Sequence, residues 1–375
     1  MLSFLPLSHM LERTGGYYLP MMGGALVAYA RSIPLLGEDL QTIRPTLLIS
    51  VPRIYERVFA KIQEGLTAKP AVARKLFNLA VNIGWRRFLY QQGRGNWSPS
   101  LLLWPLLDKL VASKIASRLG GRLRTAVSGG APLPPEVART FLALGIPLLQ
   151  GYGLTETSPV LAVSLVDDNI PESVGKALPS VKLAIGEGGE LLAKGPTVML
   201  GFWNNPKETA KVIDQDGWLH TGDIAEIDNE GHVYITGRIK DIIILSNGEN
   251  VSPADMELAI SMDALVEQVM IIGGGHPYLC ALIVPDAEHW KNLAEGFGLD
   301  PDDADSYKNE AVLDRITKRI SRLLHQFPGY AQVRQVVLLK EPWTVENGFL
   351  TPTLKIKRKQ VMKHCCNNID QFYNR

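Results

Sequence analysis

Gln150-Gly151-Tyr152-Gly153-Leu154-Thr155-Glu156-Thr157-Ser158-Pro159 follows an apolar run over residues 141–149, which is typical of a helix and then a buried strand. The glycines of this stretch let the backbone turn tightly and approach a ligand, because they have no Cβ. Tyr152 can offer a flat ring to a base, Thr155 a hydroxyl to a phosphate, and Glu156 an oxygen ligand to Mg²⁺. The stretch therefore predicts a nucleotide site. The alternative is an ordinary strand–turn–helix connection with a capping threonine.

The composition indicates a chain with sizeable cores and almost no net charge. Apolar residues make up 46% of the 375 residues, and this length is enough for two or three domains. Lys and Arg number 39 and Asp and Glu number 38, which argues against nucleic-acid binding through bulk electrostatics. The three cysteines form neither a metal-ligand pattern nor a disulfide framework, which favours a reducing cytoplasm. No apolar run reaches the roughly 18 residues that a membrane-spanning helix needs.

The pattern along the chain predicts an α/β fold with a β-rich subdomain and a small α+β domain at the C-terminal end. Up to about residue 174, short apolar runs alternate with amphipathic stretches, as in an α/β sheet. Residues 175–237 carry short strands and many glycines, which indicates the β-rich subdomain. Beyond them, strands bracket an amphipathic helix over residues 309–327. The predicted domains are therefore residues 1–239 and 240–375.

Several elements can be predicted one by one. The predicted strands are residues 46–51, 123–128, 190–193, 218–220, 225–227, 232–235, 241–245, 269–272, 279–284 and 333–339. A helix is predicted over residues 52–64, and another begins after Ser252, which would act as its N-cap before Pro253. The apolar segment 101–107 favours a core position, with contact to a membrane surface as the minor alternative.

Four further clusters surround the opening stretch. Ser128-Gly129-Gly130-Ala131-Pro132 would let a ring or a phosphate lie against bare backbone. Thr221-Gly222-Asp223 offers a carboxylate that suits a ribose diol. Gly237-Arg238-Ile239-Lys240-Asp241 places basic residues at the predicted boundary, where they could hold a nucleotide or form a hinge. The fourth cluster, residues 347–359, could deliver a single lysine from a mobile loop. The ordinary alternatives are a Gly-Gly turn, a turn aspartate, a solvated linker and a solvated basic tail.

The joint order of these clusters resembles the adenylate-forming enzymes, the superfamily of acyl-CoA synthetases, luciferases and peptide-synthetase adenylation domains. Phe4-Leu5-Pro6-Leu7-Ser8-His9-Met10-Leu11-Glu12-Arg13 and Leu350-Thr351-Pro352-Thr353-Leu354-Lys355-Ile356-Lys357-Arg358 are similar to the long-chain fatty acyl-CoA synthetases. Where short-chain members and luciferases usually carry Ser/Thr-Gly-Lys, this chain has Thr353-Leu354-Lys355. The resemblance covers all 375 residues. It implies the C-terminal part of a large α/β AMP-binding domain, followed by a mobile α+β domain.

The resemblance implies a role for each matched residue in nucleotide binding. The adenine pocket would be lined by Gly129, Gly130, Ala131, Gln150, Gly151 and Tyr152. Thr155 would bind the α-phosphate and Glu156 would hold Mg²⁺. Asp223 would grip the ribose hydroxyls, assisted by Arg238.

The same resemblance implies residues for the acyl and CoA steps. Lys355 matches the lysine that bridges the substrate carboxylate and the α-phosphate, and Lys240 matches the hinge of the C-terminal domain. Gly248 matches the glycine beside the pantetheine channel. His9 falls in the motif near the acyl carboxylate, although a packed or capping histidine is an equal alternative.

The activity implied is that of a long-chain fatty-acid–CoA ligase that uses ATP, CoA and Mg²⁺. A fatty acid would become an acyl-AMP and then a thioester. The enzyme would be cytoplasmic, with peripheral contact to a membrane and no nucleic-acid partner. Two alternatives stay open: a fatty acyl-AMP ligase that loads a carrier protein, and a non-catalytic nucleotide- or acyl-binding module.

One part of the family pattern is missing from these 375 residues. The phosphate-gripping loop that ends in Pro-Lys-Gly lies upstream of the His9 motif in the family, and no such loop is found here. We expect a truncated gene model, with a split enzyme or a binding protein without catalysis as alternatives. With a truncated model, the chain alone would lack the grip on the β- and γ-phosphates and would be inactive.

Overall fold

A computed structural model describes residues 1–351 and 354–373, without the side chains of residues 366–372. The chain divides into two compact units, Met1–Ile235 and Thr236–Arg375. The boundary predicted between residues 239 and 240 lies slightly beyond this division and stays a prediction. Pro352 and Thr353 of the predicted lysine motif lie outside the described residues.

The first unit is built from two sheets and the helices that pack around them. Its strands are β1 (Leu2–Ser3), β2 (Ala28–Tyr29), β3 (Leu47–Ser50), β4 (Thr125–Gly129), β5 (Leu148–Tyr152), β6 (Ala162–Val163), β7 (Lys176–Ala177), β8 (Lys182–Ile185), β9 (Glu190–Lys194), β10 (Leu219–Ile227) and β11 (Val233–Arg238). Its α-helices are α1 (Met10–Glu12), α2 (Leu19–Met22), α3 (Leu36–Ile43), α4 (Pro52–Thr67), α5 (Ala71–Gln91), α6 (Trp104–Leu107), α7 (Ser113–Arg118), α8 (Pro135–Ala143) and α9 (Pro206–Val212).

The larger sheet has seven strands in the order β2-β1-β3-β4-β5-β6-β7. The strands β2 to β5 are mutually parallel, and β6 and β7 continue the sheet antiparallel. Leu48, Ala126 and Leu148 lie in register across β3, β4 and β5, and all three are buried. Because β4 and β5 are parallel neighbours, the loops that follow them leave the same edge of the sheet, where ligands bind in open α/β sheets.

The β-rich subdomain contains a second sheet of four strands, in the order β11-β10-β9-β8. The prediction of separate strands at 218–220 and 225–227 is wrong, because both belong to the single strand β10. Gly222 separates the two predicted strands because a glycine in the sequence is typical of a turn, and in the structure it has φ +72°. In the structure the pairing register of β10 with β9 shifts between His220 and Ile224, so an irregularity within one strand accommodates this glycine.

The second unit contains a two-stranded sheet and a three-stranded sheet with helices on both faces. Its strands are β12 (Ile243–Ile244), β13 (Asn250–Val251), β14 (Val266–Ile272), β15 (Leu279–Pro285) and β16 (Val333–Leu338), and its helices are α10 (Pro253–Ser261), α11 (Ala287–Gly296), α12 (Glu310–Leu323) and α13 (Arg358–Tyr373). Strands β12 and β13 form the two-stranded sheet, and the other sheet has the order β14-β15-β16, with β15 antiparallel to β14 and parallel to β16. Ile283 packs in the cluster with Ile316 of α12, and its neighbour Leu282 packs in the cluster with Val361 of α13. Burial on both faces explains the continuous apolar runs of β14 and β15.

Two local predictions are corrected by the structure. Ser252 occupies the N-cap position of α10, but its hydroxyl donates to the Thr236 carbonyl at 2.9 Å instead of capping the helix. The segment 101–107 is core on one side only: Leu107 is buried and packs with Leu101 and Trp104, whereas Leu102, Leu103 and Leu106 are exposed. The side of this segment that packs inward is already filled by Trp104 and Leu107.

None of the helices in residues 1–351 and 354–373 is long and apolar enough to cross a membrane.

Candidate functional site

The glycine-rich ends of β4 and β5 form one side of the candidate site. Gly129 and Gly151 lie opposite each other in the parallel register. Gly130 has φ +84°, which favours glycine, and no atom lies within 4 Å of the position that a Cβ would take there. The Leu11 side chain approaches to 3.5 Å of the corresponding Cβ position of Gly129. The motif of residues 4–13 therefore lies beside this edge of the sheet. Ala131, the residue after Gly130, is exposed.

A hydrogen bond joins two of the predicted nucleotide-binding side chains. Tyr152 is the last residue of β5, and its hydroxyl donates to Oδ2 of Asp223 at 2.7 Å. Asp223 lies on β10 and is buried. The two residues are 71 positions apart in the chain. The structure thus brings the proposed base-stacking ring and the proposed ribose ligand together.

Thr221 fixes the backbone on which Asp223 sits, a role that the sequence did not reveal. The Asp223 N–H donates to Oγ1 of Thr221 at 3.1 Å, and the Thr221 hydroxyl donates to the Leu191 carbonyl at 2.7 Å. The Gly222 N–H donates to Oε1 of Glu190 at 2.9 Å. The Thr-Gly-Asp spacing was the available signal, because a threonine two residues before a carboxylate can hold its amide.

The loop after β5 contains both a capping threonine and an exposed one. Thr157 is buried: its Oγ1 accepts from the Leu154 N–H at 2.8 Å, and its hydroxyl donates to the Leu154 carbonyl at 3.0 Å. Thr155 is exposed at the start of the 3₁₀ turn Thr155–Thr157. The capping role expected in the alternative interpretation therefore belongs to Thr157, and it leaves Thr155 accessible to a ligand.

Gln150 is buried and holds a neighbouring loop. Its Nε2 donates to the Pro171 carbonyl at 2.6 Å and to the Ser173 carbonyl at 3.3 Å. The amide therefore supports the wall of the site, and a contact with adenine through this side chain stays a prediction.

His9 is the N-cap residue of α1. Its Nδ1 accepts from the Leu11 N–H at 3.3 Å. This is the capping role that stood as the alternative to a place near the acyl carboxylate. Capping uses only Nδ1, so the predicted acyl-site role is not tested by this contact.

Four other predicted residues, Arg238, Lys240, Gly248 and Lys355, belong to the second unit, which begins within β11 at Thr236. Arg238 ends β11, and Lys240 lies exposed in the 3₁₀ turn Ile239–Asp241. Gly248 has φ +85° in the turn between β12 and β13, where its N–H donates to the Leu245 carbonyl at 2.9 Å. Lys355 is exposed, and its N–H donates to Oγ1 of Thr351 at 3.0 Å.

Glu156 has the chemistry to share a magnesium ion with a nucleotide. Glu156 is a partly exposed residue, and its backbone carbonyl accepts a hydrogen bond from the Met199 N–H at 2.8 Å. Among the described residues no group of three or more His, Cys, Asp or Glu side chains could hold a metal alone. Mg²⁺ is commonly held by one or two carboxylates together with substrate phosphates, so a single carboxylate fits the ion in this setting.

The chain is similar in sequence to curated ligases. The chain is 33% identical over 385 residues to the long-chain-fatty-acid–CoA ligase FadD15 of Mycobacterium tuberculosis, covering all of this chain and 62% of that protein. It is 31% identical to the long-chain-fatty-acid–[acyl-carrier-protein] ligase AEE15 of Arabidopsis thaliana, over all of this chain and 56% of that protein. The chain thus spans between about half and two thirds of the length of the curated relatives it matches.

Solved structures show the same fold. The adenylation domain of the carboxylic acid reductase of Segniliparus rugosus, in complex with AMP and a co-purified carboxylic acid, matches with a TM-score of 0.72 and 26% identity. That match covers all of this chain and 54% of the other. The o-succinylbenzoate CoA synthetase of Bacillus subtilis, at 20% identity and a TM-score of 0.62, covers 96% of this chain and 60% of that protein, and it shares the fold.

Two family models cover most of the sequence. Residues 1–203 match the AMP-binding enzyme model, and residues 240–375 match the AMP-binding enzyme C-terminal domain. The mixed α/β fold predicted from the sequence is confirmed by the fold shared with solved adenylation domains. The chain belongs to the AMP-binding, adenylate-forming enzyme family, in which its relatives include long-chain fatty acyl-CoA synthetases.

Proposed function

We propose that this chain carries the nucleotide site and the catalytic lysine of a long-chain fatty-acid–CoA ligase. The observation that carries the proposal is the hydrogen bond between Tyr152 and Asp223 beside the glycine-rich ends of β4 and β5. An aromatic ring, a ribose-binding carboxylate and open backbone are the groups that a bound adenosine needs. The identity with a long-chain fatty-acid–CoA ligase supports the choice of substrate.

The first half-reaction joins a fatty carboxylate to AMP. A carboxylate oxygen attacks the α-phosphorus of ATP, the bond to the bridging oxygen breaks, and pyrophosphate leaves. Negative charge spreads over the phosphoryl oxygens in the transition state. Lys355 would stabilise that charge, Thr155 would hydrogen-bond the α-phosphate, and Asp223 would hold the ribose. Glu156 and the ATP phosphates would hold Mg²⁺, which supplies further positive charge when bound.

The second half-reaction forms the thioester. The CoA sulfur attacks the acyl carbon, and AMP leaves with the mixed-anhydride oxygen. We propose that the turn around Lys240 is the hinge that exchanges Lys355 for the Gly248 surface between the two steps. Arg238 would assist at the ribose, and His9 would lie near the acyl carboxylate. Because a long-chain fatty acid partitions into lipid, the proposal includes peripheral contact with a membrane.

Transfer to a carrier protein is the second candidate function. The 31% identity with a long-chain-fatty-acid–[acyl-carrier-protein] ligase favours it. Both candidates share the acyl-AMP step and differ only in the thiol that accepts the acyl group.

AMP release from ATP and palmitate, measured with CoA or with a carrier protein as acceptor, tests the proposal. The chain should be assayed as it stands and with the upstream reading frame attached. We expect palmitate-dependent AMP release that is stimulated by CoA in at least the extended form. Stimulation only by carrier protein would favour the second candidate. The absence of AMP release in both forms would favour a non-catalytic binding module.

A further inference from the structure

A continuous helical run over residues 99–118 presents an unusual outer face. It consists of a 3₁₀ turn (Pro99–Leu103), α6, a π-helical segment (Asp108–Ala112) and α7. Exposed residues recur in pairs at 102–103, 105–106, 109–110, 113–114 and 117–118. At about 1.5 Å per residue, these pairs mark one face along a rod of roughly 30 Å. We name it the outer face of residues 99–118.

The first half of the outer face is apolar, although these residues are not needed to pack the helical run against the rest of the protein. Leu102 is 72% exposed, Leu103 48% and Leu106 58%. The opposite side of the run already packs into two core clusters through Trp104, Leu107, Val111, Ala112 and Ile115. Single exposed leucines are ordinary on protein surfaces, whereas a contiguous group marks an interaction site.

The second half of the outer face is basic. It carries Lys109, Lys114 and Arg118, all exposed. Among the described residues none of these three cations forms an ion pair within 4 Å. Asp108 is the only acid between residues 99 and 118. The chain as a whole carries a formal net charge of only +1, so this local excess of positive charge is not a property of the general composition.

We infer that the outer face of residues 99–118 docks on the surface of an anionic lipid bilayer. Leucines beside lysine and arginine on one exposed helical face complement acyl chains beside phosphate head groups. An acidic protein surface would satisfy the cations but would not bury the leucines in a fluid apolar layer. The inference deepens the peripheral membrane contact of the proposed function by assigning a surface to it. The vesicle test below uses no substrate, so its outcome is separate from that of the ligase assay.

Vesicle binding of two double variants tests the inference. Protein is sedimented with vesicles of phosphatidylcholine alone or of phosphatidylcholine mixed with phosphatidylglycerol. We expect wild-type binding to the mixed vesicles that weakens as salt is added. Leu103→Gln/Leu106→Gln should lower the binding constant at least about tenfold. Lys114→Gln/Arg118→Gln should lower it about tenfold to thirtyfold at low salt and flatten the salt dependence.

Matched surface changes elsewhere serve as controls. Leu200→Gln/Trp203→Gln removes two strongly exposed apolar side chains from another region. Lys291→Gln/Lys318→Gln removes two exposed lysines that lie near Glu295 and Asp314. Both controls should bind vesicles like the wild type, and unchanged urea unfolding curves would show that all four variants fold.

Two results would overturn the inference. One is vesicle binding that neither outer-face variant weakens. The other is concentration-dependent self-association of the wild type that Leu103→Gln/Leu106→Gln abolishes while vesicle binding persists, because the outer face would then belong to a second copy of the chain.

Discussion

At the residue scale, the candidate site depends on a contact between side chains that are distant in the chain. The residue types of Tyr152, Thr155 and Asp223 led to the predicted contacts with a base, a phosphate and a ribose, and those roles stay predictions. The hydrogen bond between Tyr152 and Asp223 links positions 71 residues apart, and no local spacing encodes it. The capping role of the buried Thr157 likewise depends on how the loop after β5 folds back. The positions of the threonines in the sequence therefore could not show that Thr157, and not Thr155, caps the turn.

The Tyr152 hydroxyl can be removed without losing the ring. We expect Tyr152→Phe to weaken AMP binding about tenfold, because a hydrogen bond to a charged group contributes roughly 1.5–3 kcal/mol and orients Asp223. Isothermal titration with AMP measures this change. Tyr234→Phe is the control, since the Tyr234 hydroxyl donates to Asp228 at 3.2 Å outside the candidate site. Equal AMP affinity in both variants would contradict the assigned role of Tyr152.

Asp168 provides a prediction for acid stability. Its carboxylate contacts Lys176 at 2.7 Å and Nε2 of His232 at 2.9 Å, and it pairs with Arg94. The hydrogen bond from Lys176, followed by that from His232, lowers the pKa of Asp168 to about 2. In the unfolded chain the pKa of an aspartate is about 3.9. The contacts of the ionised Asp168 carboxylate therefore stabilise the fold above about pH 4. This contribution is lost as the pH falls from about 4 to 2, because the carboxylate becomes protonated.

We therefore expect Asp168→Asn to lower the free energy of unfolding by an amount that depends on pH. At neutral pH the variant should lose on the order of 1–2 kcal/mol of unfolding free energy, since the side chain is only partly exposed. The difference from the wild type should shrink towards pH 2, as followed by urea unfolding at several pH values. A difference that stays constant between pH 7 and pH 3 would refute this assignment.

At the element scale, long elements with a strong pattern were predicted well and short ones were not. The predicted strands 269–272 and 279–284 correspond to β14 and β15, because burial on both faces demands continuous apolar runs. The two-residue strands β1, β2, β6 and β7 carry too few residues for an alternating pattern. The segment 101–107 has a strong apolar pattern, but the prediction of a core position holds for only part of it. Its apolar residues lie on two sides of a helical run, and only one side is core.

Helix α5 makes a close contact that a single methyl group should disrupt. A Cβ on Gly84 would lie 1.9 Å from the Ala143 carbonyl oxygen and 2.6 Å from the Trp104 ring. We expect Gly84→Ala to destabilise the first unit by about 1–3 kcal/mol through overpacking. Gly65→Ala in α4 is the control, because nothing lies within 4 Å of that Cβ position. It should stabilise by roughly 0.5–1 kcal/mol. Indistinguishable urea unfolding midpoints would argue against the contact.

At the scale of the whole molecule, the chain consists of two units that each have a core of their own. In the sequence, alternating strands and helices give way to short strands and then to a separate α+β pattern, which led to the predicted boundary after residue 239; that boundary stays a prediction. The proposed site residues fall in both units: Tyr152, Thr155 and Asp223 in the first, and Lys240, Gly248 and Lys355 in the second. The proposed two-step chemistry requires that the second unit contribute different residues to each step.

The most direct test of this account is palmitate-dependent exchange of pyrophosphate into ATP, compared with thioester formation from supplied palmitoyl-AMP. It is carried out in the extended chain for the wild type, Lys355→Ala and the nearby exposed control Lys359→Ala. We predict that Lys355→Ala lowers exchange about 10²–10³-fold, as expected for the loss of one charge-stabilising donor, and largely spares thioester formation. Lys359→Ala should leave both rates near the wild-type values. An equal loss of both half-reactions in Lys355→Ala, or no palmitate-dependent exchange in the wild type, would contradict the account.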